Sequence, residues 1–149
     1  MMVKNLLESH LGEYHTISGD DSVAKGLNQM SAYGTAALIV MDGDLPKGIF
    51  TERDFVRCHI LFPNKGADDV LIKDVMTTQL VVAEPTDRVE DAMGMMIKAG
   101  IRHLPVVGEK KIIGLIGLED LVKVHVGALT QELHYLKDYI SDLQDAAND

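Results

Sequence analysis

Residues 48–54, Gly48-Ile49-Phe50-Thr51-Glu52-Arg53-Asp54, return 66 positions later as Gly114-Leu115-Ile116-Gly117-Leu118-Glu119-Asp120. Outward from that pair the same offset holds without a gap: Asp21 meets Asp87, Val23 meets Val89, Met30 meets Met96, Gly34 meets Gly100, Leu38 meets Leu104 and Val40 meets Val106. Apolar matches alone arise between any two elements of equal period. A common register of Gly and Asp running through helix-like and strand-like stretches indicates an internal duplication. The two copies nearly fill the 149 residues. Each alone is small for an independent core, so the halves are expected to fold against each other.

Within the first copy, Asp20 to Ser22 offers an N-cap, Val23, Leu27 and Met30 fall at helical spacing, and Gly34 closes the segment. Thr35 to Met41 is β-branched and aliphatic, Asp42-Gly43-Asp44 supplies turn chemistry, and Lys47 to Phe50 reads as a second strand. A helix from about Glu52 to Leu61 follows. The second copy repeats the order: helix Arg88 to Ala99, strand Leu104 to Val107, turn Gly108-Glu109-Lys110, strand Ile112 to Ile116, then a helix. The expected fold class is α/β, with a first copy over 1–66, a second over 67–127 and a C-terminal helix over 128–149. A connection near residues 63–75 is expected to be flexible.

Composition narrows the function. With 46% hydrophobic residues, no Trp and no apolar run near the roughly 20 residues of a spanning helix, the chain reads as globular rather than membrane-resident. The N-terminal MMVKNLLESH lacks the unbroken apolar stretch of a signal peptide, and a single cysteine, Cys58, fits a reducing compartment, so a cytoplasmic location is expected. A net charge of −9 works against generic binding to nucleic acid. It leaves room for one small anion held by a local cluster such as Arg53, Arg57, Arg102 and His103.

Three strings, Gly48 to Asp54, Ile72-Lys73-Asp74-Val75-Met76-Thr77 and Gly100-Ile101-Arg102-His103-Leu104-Pro105-Val106-Val107, resemble the signatures of tandem CBS domains, over roughly residues 6–126. The resemblance implies a Bateman module, in which two α/β repeats pack about a pseudo-two-fold axis. Members of that family commonly take adenosine-containing ligands, AMP, ADP or ATP among them, in clefts between the repeats, and act as sensors rather than catalysts.

Thr51 and Asp54 carry two readings. Thr-x-x-Asp where a strand enters a helix is a capping box worth about 1 kcal/mol. The same groups suit a nucleoside phosphate, since a carboxylate accepts from ribose hydroxyls and a helix N-terminus favours phosphate. The second copy keeps the acid as Asp120 but has Gly117 for the hydroxyl, while it carries Arg102-His103 where the first has Ala36-Ala37. If sites are composite, as the resemblance implies, one pairing keeps every part. Thr51 and Asp54 then hold the ribose, Arg102 and His103 neutralise phosphate, Ile49, Val82 and Ile101 bracket the adenine, and Arg53 counts with the same site. Thr77 adds a hydroxyl at the entry, and Pro105 of the strand motif counts with the same site. The opposite cleft combines Asp120 and Leu115 with Thr35 and Ala36 and is the weaker.

Other features read as structural. His10, His15, His59, His103, His125 and His134 lack compact metal-ligand spacing, and Met76, Met93, Met95 and Met96 fit packing positions. Cys58 and His59 are neighbours on a helix and point in different directions, so no nucleophilic pair is expected. Val122, Val126, Leu129, Leu133, Leu136, Ile140 and Leu143 recur at alternating spacings of four and three, a heptad seam. It serves either packing on the chain's own body or self-association.

The expectation is therefore a regulatory module with no catalytic role and no required cofactor. It takes an adenine nucleotide between its repeats, works as a homodimer, and acts through an effector protein, since repeat and tail use up the chain. The alternative is a CBS scaffold for dimerisation that binds no nucleotide. Sequence does not choose among AMP, ADP, ATP, NAD and S-adenosylmethionine.

Overall fold

Gly34 and Gly100 end equivalent helices in the left-handed conformation, with φ of 65° and 67°. The chain closes the same helix in both copies with the residue type for which that conformation costs least. The computed structural model describes residues 1–9 and 12–148; His10 lies outside them. Its elements are α1 (Val3–Glu8), β1 (Thr16–Ser18), α2 (Val23–Tyr33), β2 (Ala37–Asp42), β3 (Leu45–Thr51), α3 (Glu52–Leu61), α4 (Val89–Ala99), β4 (His103–Gly108), β5 (Lys111–Gly117) and α5 (Leu118–Asn148). Two short 3-10 turns, Ala67–Asp69 and Ile72–Asp74, precede the second repeat. No helix among the described residues is long and apolar enough to cross a membrane.

The duplication is visible in the sheets. β2 and β3 pair antiparallel, as do β4 and β5, and the register slips between Val40 and Met41 in one hairpin and between Val106 and Val107 in the other. β1 adds to β2 in parallel, with Ile17 opposite Val40. In the second repeat that strand shrinks to a single parallel bridge, Ala83 to Val106. Neither piece was legible beforehand, because three residues are too few to show a period.

The lead-in to each repeat packs on the other one. Val3 and Leu6 of α1 are buried in the second core with Val89, Met96, Leu104, Ile116 and Leu121. Val70, Ile72 and Val75 are buried in the first core with Val23, Leu38, Val40 and Phe50. The Ile72 N–H donates to Asp21 O and the Lys73 N–H to Gly19 O, at 2.9 and 3.0 Å. A boundary at 66/67 thus divides the sequence copies but not the cores, and the second part of the 63–75 connection is clamped rather than loose. The reciprocal exchange also bears on two matched glycines. A Cβ on Gly48 meets Thr77 O at 2.5 Å, so that lead-in needs a bare backbone to pass over; one on Gly114 meets the end of the Leu7 side chain at 2.5 Å and Gly12 O at 3.2 Å, a close approach that the Leu7 side chain can relieve.

Between the repeats Ala37, Ile39, Ile49 and Leu115 form a third buried cluster. Beyond it α5 runs without a break through the expected boundary at 127/128. Leu121 is buried, but every residue from Val126 to Ala147 whose side chain is described is exposed. The helix leaves the body instead of lying on it.

Candidate functional site

A cleft of about 260 Å³ opens where the two repeats meet. The first repeat lines it with Ala36, Ile49, Thr51, Glu52 and Arg53, the connection with Thr77, and the second repeat with Ile101, Arg102 and His103. Local pairing puts them there: β3 delivers Ile49 and Thr51 to the start of α3, and the backbones of Ile49 and Thr77 exchange two hydrogen bonds of 2.9 Å. The turn after Gly100 brings Ile101 and Arg102 across from the other side.

At the floor stands the Asp54 network. The Thr51 N–H donates to Asp54 Oδ2 at 2.9 Å and the Thr51 hydroxyl to the same oxygen at 3.3 Å. The Thr77 hydroxyl donates to Oδ1 at 2.8 Å, and Arg57 donates to it at 3.2 Å. A carboxylate offers about four lone-pair sites, and all are filled within the chain. Asp54 is the one charged side chain buried among the described residues, 1% exposed, and it does not itself line the cleft. The capping-box geometry is present. The direct ribose contact expected of Asp54 is screened by Thr51 and Thr77 hydroxyls.

Arg57, expected with the anion-binding cations, instead turns under the cleft and donates to the carbonyls of Val75 and Met76 as well as to Asp54. It ties α3 to the connection. Its spacing of three from Asp54 on one helix is the signal that points to the pair.

The cleft mouth is electrically mixed. Arg53 and Arg102 are exposed, and so is Glu52, which sequence reasoning passed over because a first-turn acid is ordinary helix chemistry. Burial lowers the pKa of His103 from its ordinary 6.5, Glu52 opposes that shift, Arg102 adds to it and Asp120 opposes it. His103 is therefore a mainly neutral donor and acceptor near pH 7 rather than a standing cation.

Placement differs for the remaining expected residues. Val82 is 40% exposed and Pro105 is buried opposite Leu115 in the β4–β5 pair; neither lines the cleft. Leu115, expected at the weaker site, is buried between the repeats, because its position on β5 faces the inter-repeat cluster. Ala36 belongs to the cleft of Thr51 and Arg102, not to one with Asp120. The Thr35 hydroxyl is turned to its own backbone, donating to Ala37 O at 3.2 Å. Asp120 is half-buried with no hydrogen-bonding partner among the described residues.

With this geometry in hand, likeness to known proteins carries weight. The family model of the CBS domain matches residues 2–60 and 72–127. The chain is 30% identical over 144 residues to the CBS domain-containing protein CBSX3, mitochondrial, of Arabidopsis thaliana, a match spanning 93% of this chain and 69% of that one. The crystal structure of the CBS domain NE2398 superimposes with a TM-score of 0.79 at 36% identity, over 85% of this chain and 98% of that one. CBSX2 in complex with AMP superimposes with a TM-score of 0.67 at 20% identity, over 85% and 97%, a likeness of fold alone.

Proposed function

The chain belongs to the CBS-domain family, and from that premise we propose that it is a regulatory module taking an adenine nucleotide, AMP, ADP or ATP, in the cleft between its repeats. The observation that carries this reading is the composite lining: two threonine hydroxyls that donate to a buried carboxylate, two arginines, and Ile49 and Ile101 from the two repeats share one cleft. At about 260 Å³ the cleft lies just under the usual range of about 300–1,000 Å³ for small-molecule sites. The nucleoside fills it and the phosphates extend to the mouth, where Arg53, Arg102 and the first turn of α3 supply donors.

Ribose hydroxyls reach Asp54 by taking the places of the Thr51 and Thr77 hydroxyls, one donor for another, so the carboxylate is never left unsatisfied. Occupancy is reported through α5: the Leu118 N–H, at the start of that helix, donates to the carbonyl of Arg102 at 2.8 Å. Ligand shifts an equilibrium only through different affinity for two states, and a phosphate drawing on Arg102 acts directly on the strand end that holds α5. The module works as a homodimer in the cytoplasm, regulates an effector protein, and is a sensor rather than a catalyst. One nucleotide binds per chain, because the Asp120 side lacks a hydroxyl at Gly117 and its own cations.

Thermal shift and calorimetric titration with AMP, ADP, ATP, NAD and S-adenosylmethionine test the reading, with Arg102→Ala as comparison. At 100 times the dissociation constant a ligand adds about 2.7 kcal/mol, a rise of about 5–10 °C for a chain of this size. A nucleotide that stabilises both proteins equally is not using this cleft. No shift with any of the five supports the rival reading, a non-binding scaffold, which the saturated Asp54 favours.

A further inference from the structure

α5 carries an apolar seam that the chain's own body does not cover. Leu121 and Val124 pack toward the second core, while Val122 is 39% exposed and Leu133 on the free part of the helix is 58% exposed. From Val126 to Ala147 the rod is about 33 Å long at the rise of an α-helix. Helices in proteins draw most of their stability from packing an apolar face, and a contiguous exposed apolar stripe of this kind marks an interaction surface.

The seam also states what covers it. In heptad notation Val126, Leu133 and Ile140 fall at a, and Leu129, Leu136 and Leu143 at d. Two β-branched residues at a with leucine at every d is the pattern that favours two strands in parallel. Charge agrees independently. In a parallel pair Glu132, at g, faces Lys137, at e of the next heptad of the other strand, and symmetry makes the contact twice. An antiparallel overlap of the same seams sets Glu132 against Tyr139 and Lys137 against Thr130, with no opposite charges meeting.

We propose that α5 forms a parallel two-stranded coiled coil with α5 of a second copy of this chain, holding the two nucleotide-sensing bodies side by side at the same end of the rod. This deepens the homodimer reading and depends on it, though not on any nucleotide. It gives that reading a place: the Arg102–Leu118 link connects the cleft to the first turn of the helix that continues into the dimer rod.

Sedimentation of the full chain at micromolar concentration tests the surface. The unmodified chain runs as a dimer, and Leu136→Asp raises the dissociation constant about 100-fold or more, since each of two copies loses a buried leucine. Because Leu136 is exposed in the protomer, the variant keeps the circular dichroism of a folded body and loses only the stabilisation that dimerisation adds. Orientation is read from Leu143→Cys under mild oxidation: a parallel pair yields a disulfide-linked dimer, and the native Cys58, 3% exposed, stays silent. A monomeric unmodified chain overturns the homodimer reading and this surface together. A Leu136→Asp protein that remains dimeric leaves the homodimer standing and overturns the coiled coil, pointing to another face such as the exposed Val56, Ile60 and Leu61 of α3. Seam-dependent dimers that Leu143→Cys fails to link overturn the parallel arrangement.

Discussion

Replacing Asp54 by alanine removes the acceptor on which four donors converge. The loss has two parts. The capping interaction with the Thr51 N–H, 2.9 Å long, is worth about 1 kcal/mol. The Thr77 hydroxyl, donating at 2.8 Å to a carboxylate that is 1% exposed, contributes about 1.5–3 kcal/mol as a hydrogen bond to a charged group. The Arg57 contact adds little, since that guanidinium is 45% exposed and keeps its carbonyl partners. The sum is about 2–4 kcal/mol, or a fall of about 5–15 °C in melting temperature for a domain of this size. Urea denaturation with circular dichroism measures it, and Asp54→Asn, which keeps the shape and one carbonyl acceptor, falls between alanine and the unmodified protein. An Asp54→Ala protein within about 0.5 kcal/mol of the unmodified one refutes the reasoning: water would then be satisfying the Thr51 and Thr77 donors at no cost, and the carboxylate would not organise the cleft floor.

Outcomes are expected at three further residues. Gly94 lies inside α4 with open space around a built Cβ, so Gly94→Ala stabilises by about 1 kcal/mol and raises the melting temperature by about 2–4 °C. Gly48→Ala drives a methyl to 2.5 Å from the Thr77 carbonyl and costs about 1–3 kcal/mol by parting the Ile49–Thr77 pair; an unchanged urea midpoint sinks that account. His103, its pKa lowered by burial, takes up a proton when phosphate arrives. The His103 contribution to AMP affinity should therefore be fully present below the lowered pKa of the free protein and be lost as pH rises through the higher pKa of the complex, by at most about tenfold per pH unit. His103→Gln removes that part of the dependence, leaving only what the phosphate itself contributes. Without ligand the sign reverses: the unfolded imidazole binds more protons, so His103 costs the fold stability as pH drops below its ordinary 6.5, and His103→Gln narrows the acid loss of the urea midpoint.

Much of the architecture was legible because it rests on local chemistry stated twice. The Ser22 cap on α2, with its side chain accepting from the Lys25 N–H, the left-handed Gly34 and Gly100, and the short span between each pair of strands follow from neighbours in the chain. The copies corroborate one another at every step. Less legible was whatever joins distant residues. That Val3 and Leu6 serve the second core, and Val70 to Val75 the first, depends on which apolar face each lead-in meets, and short apolar stretches name no partner. The same reason hid the role of Arg57, whose carbonyl partners lie 18 and 19 positions away.

By itself the sequence determined the duplication, the α/β order of elements and the family, because period, caps and register are properties of the chain read in one direction. Only the tertiary structure decided where the cleft departs from the expected set. It placed Ala36 with Arg102, sent Leu115 into the inter-repeat core, and closed Asp54 behind the hydroxyls of Thr51 and Thr77. The physical reason is that a side chain's exposure is set by what packs across from it, and across from these residues stands the other half of the chain.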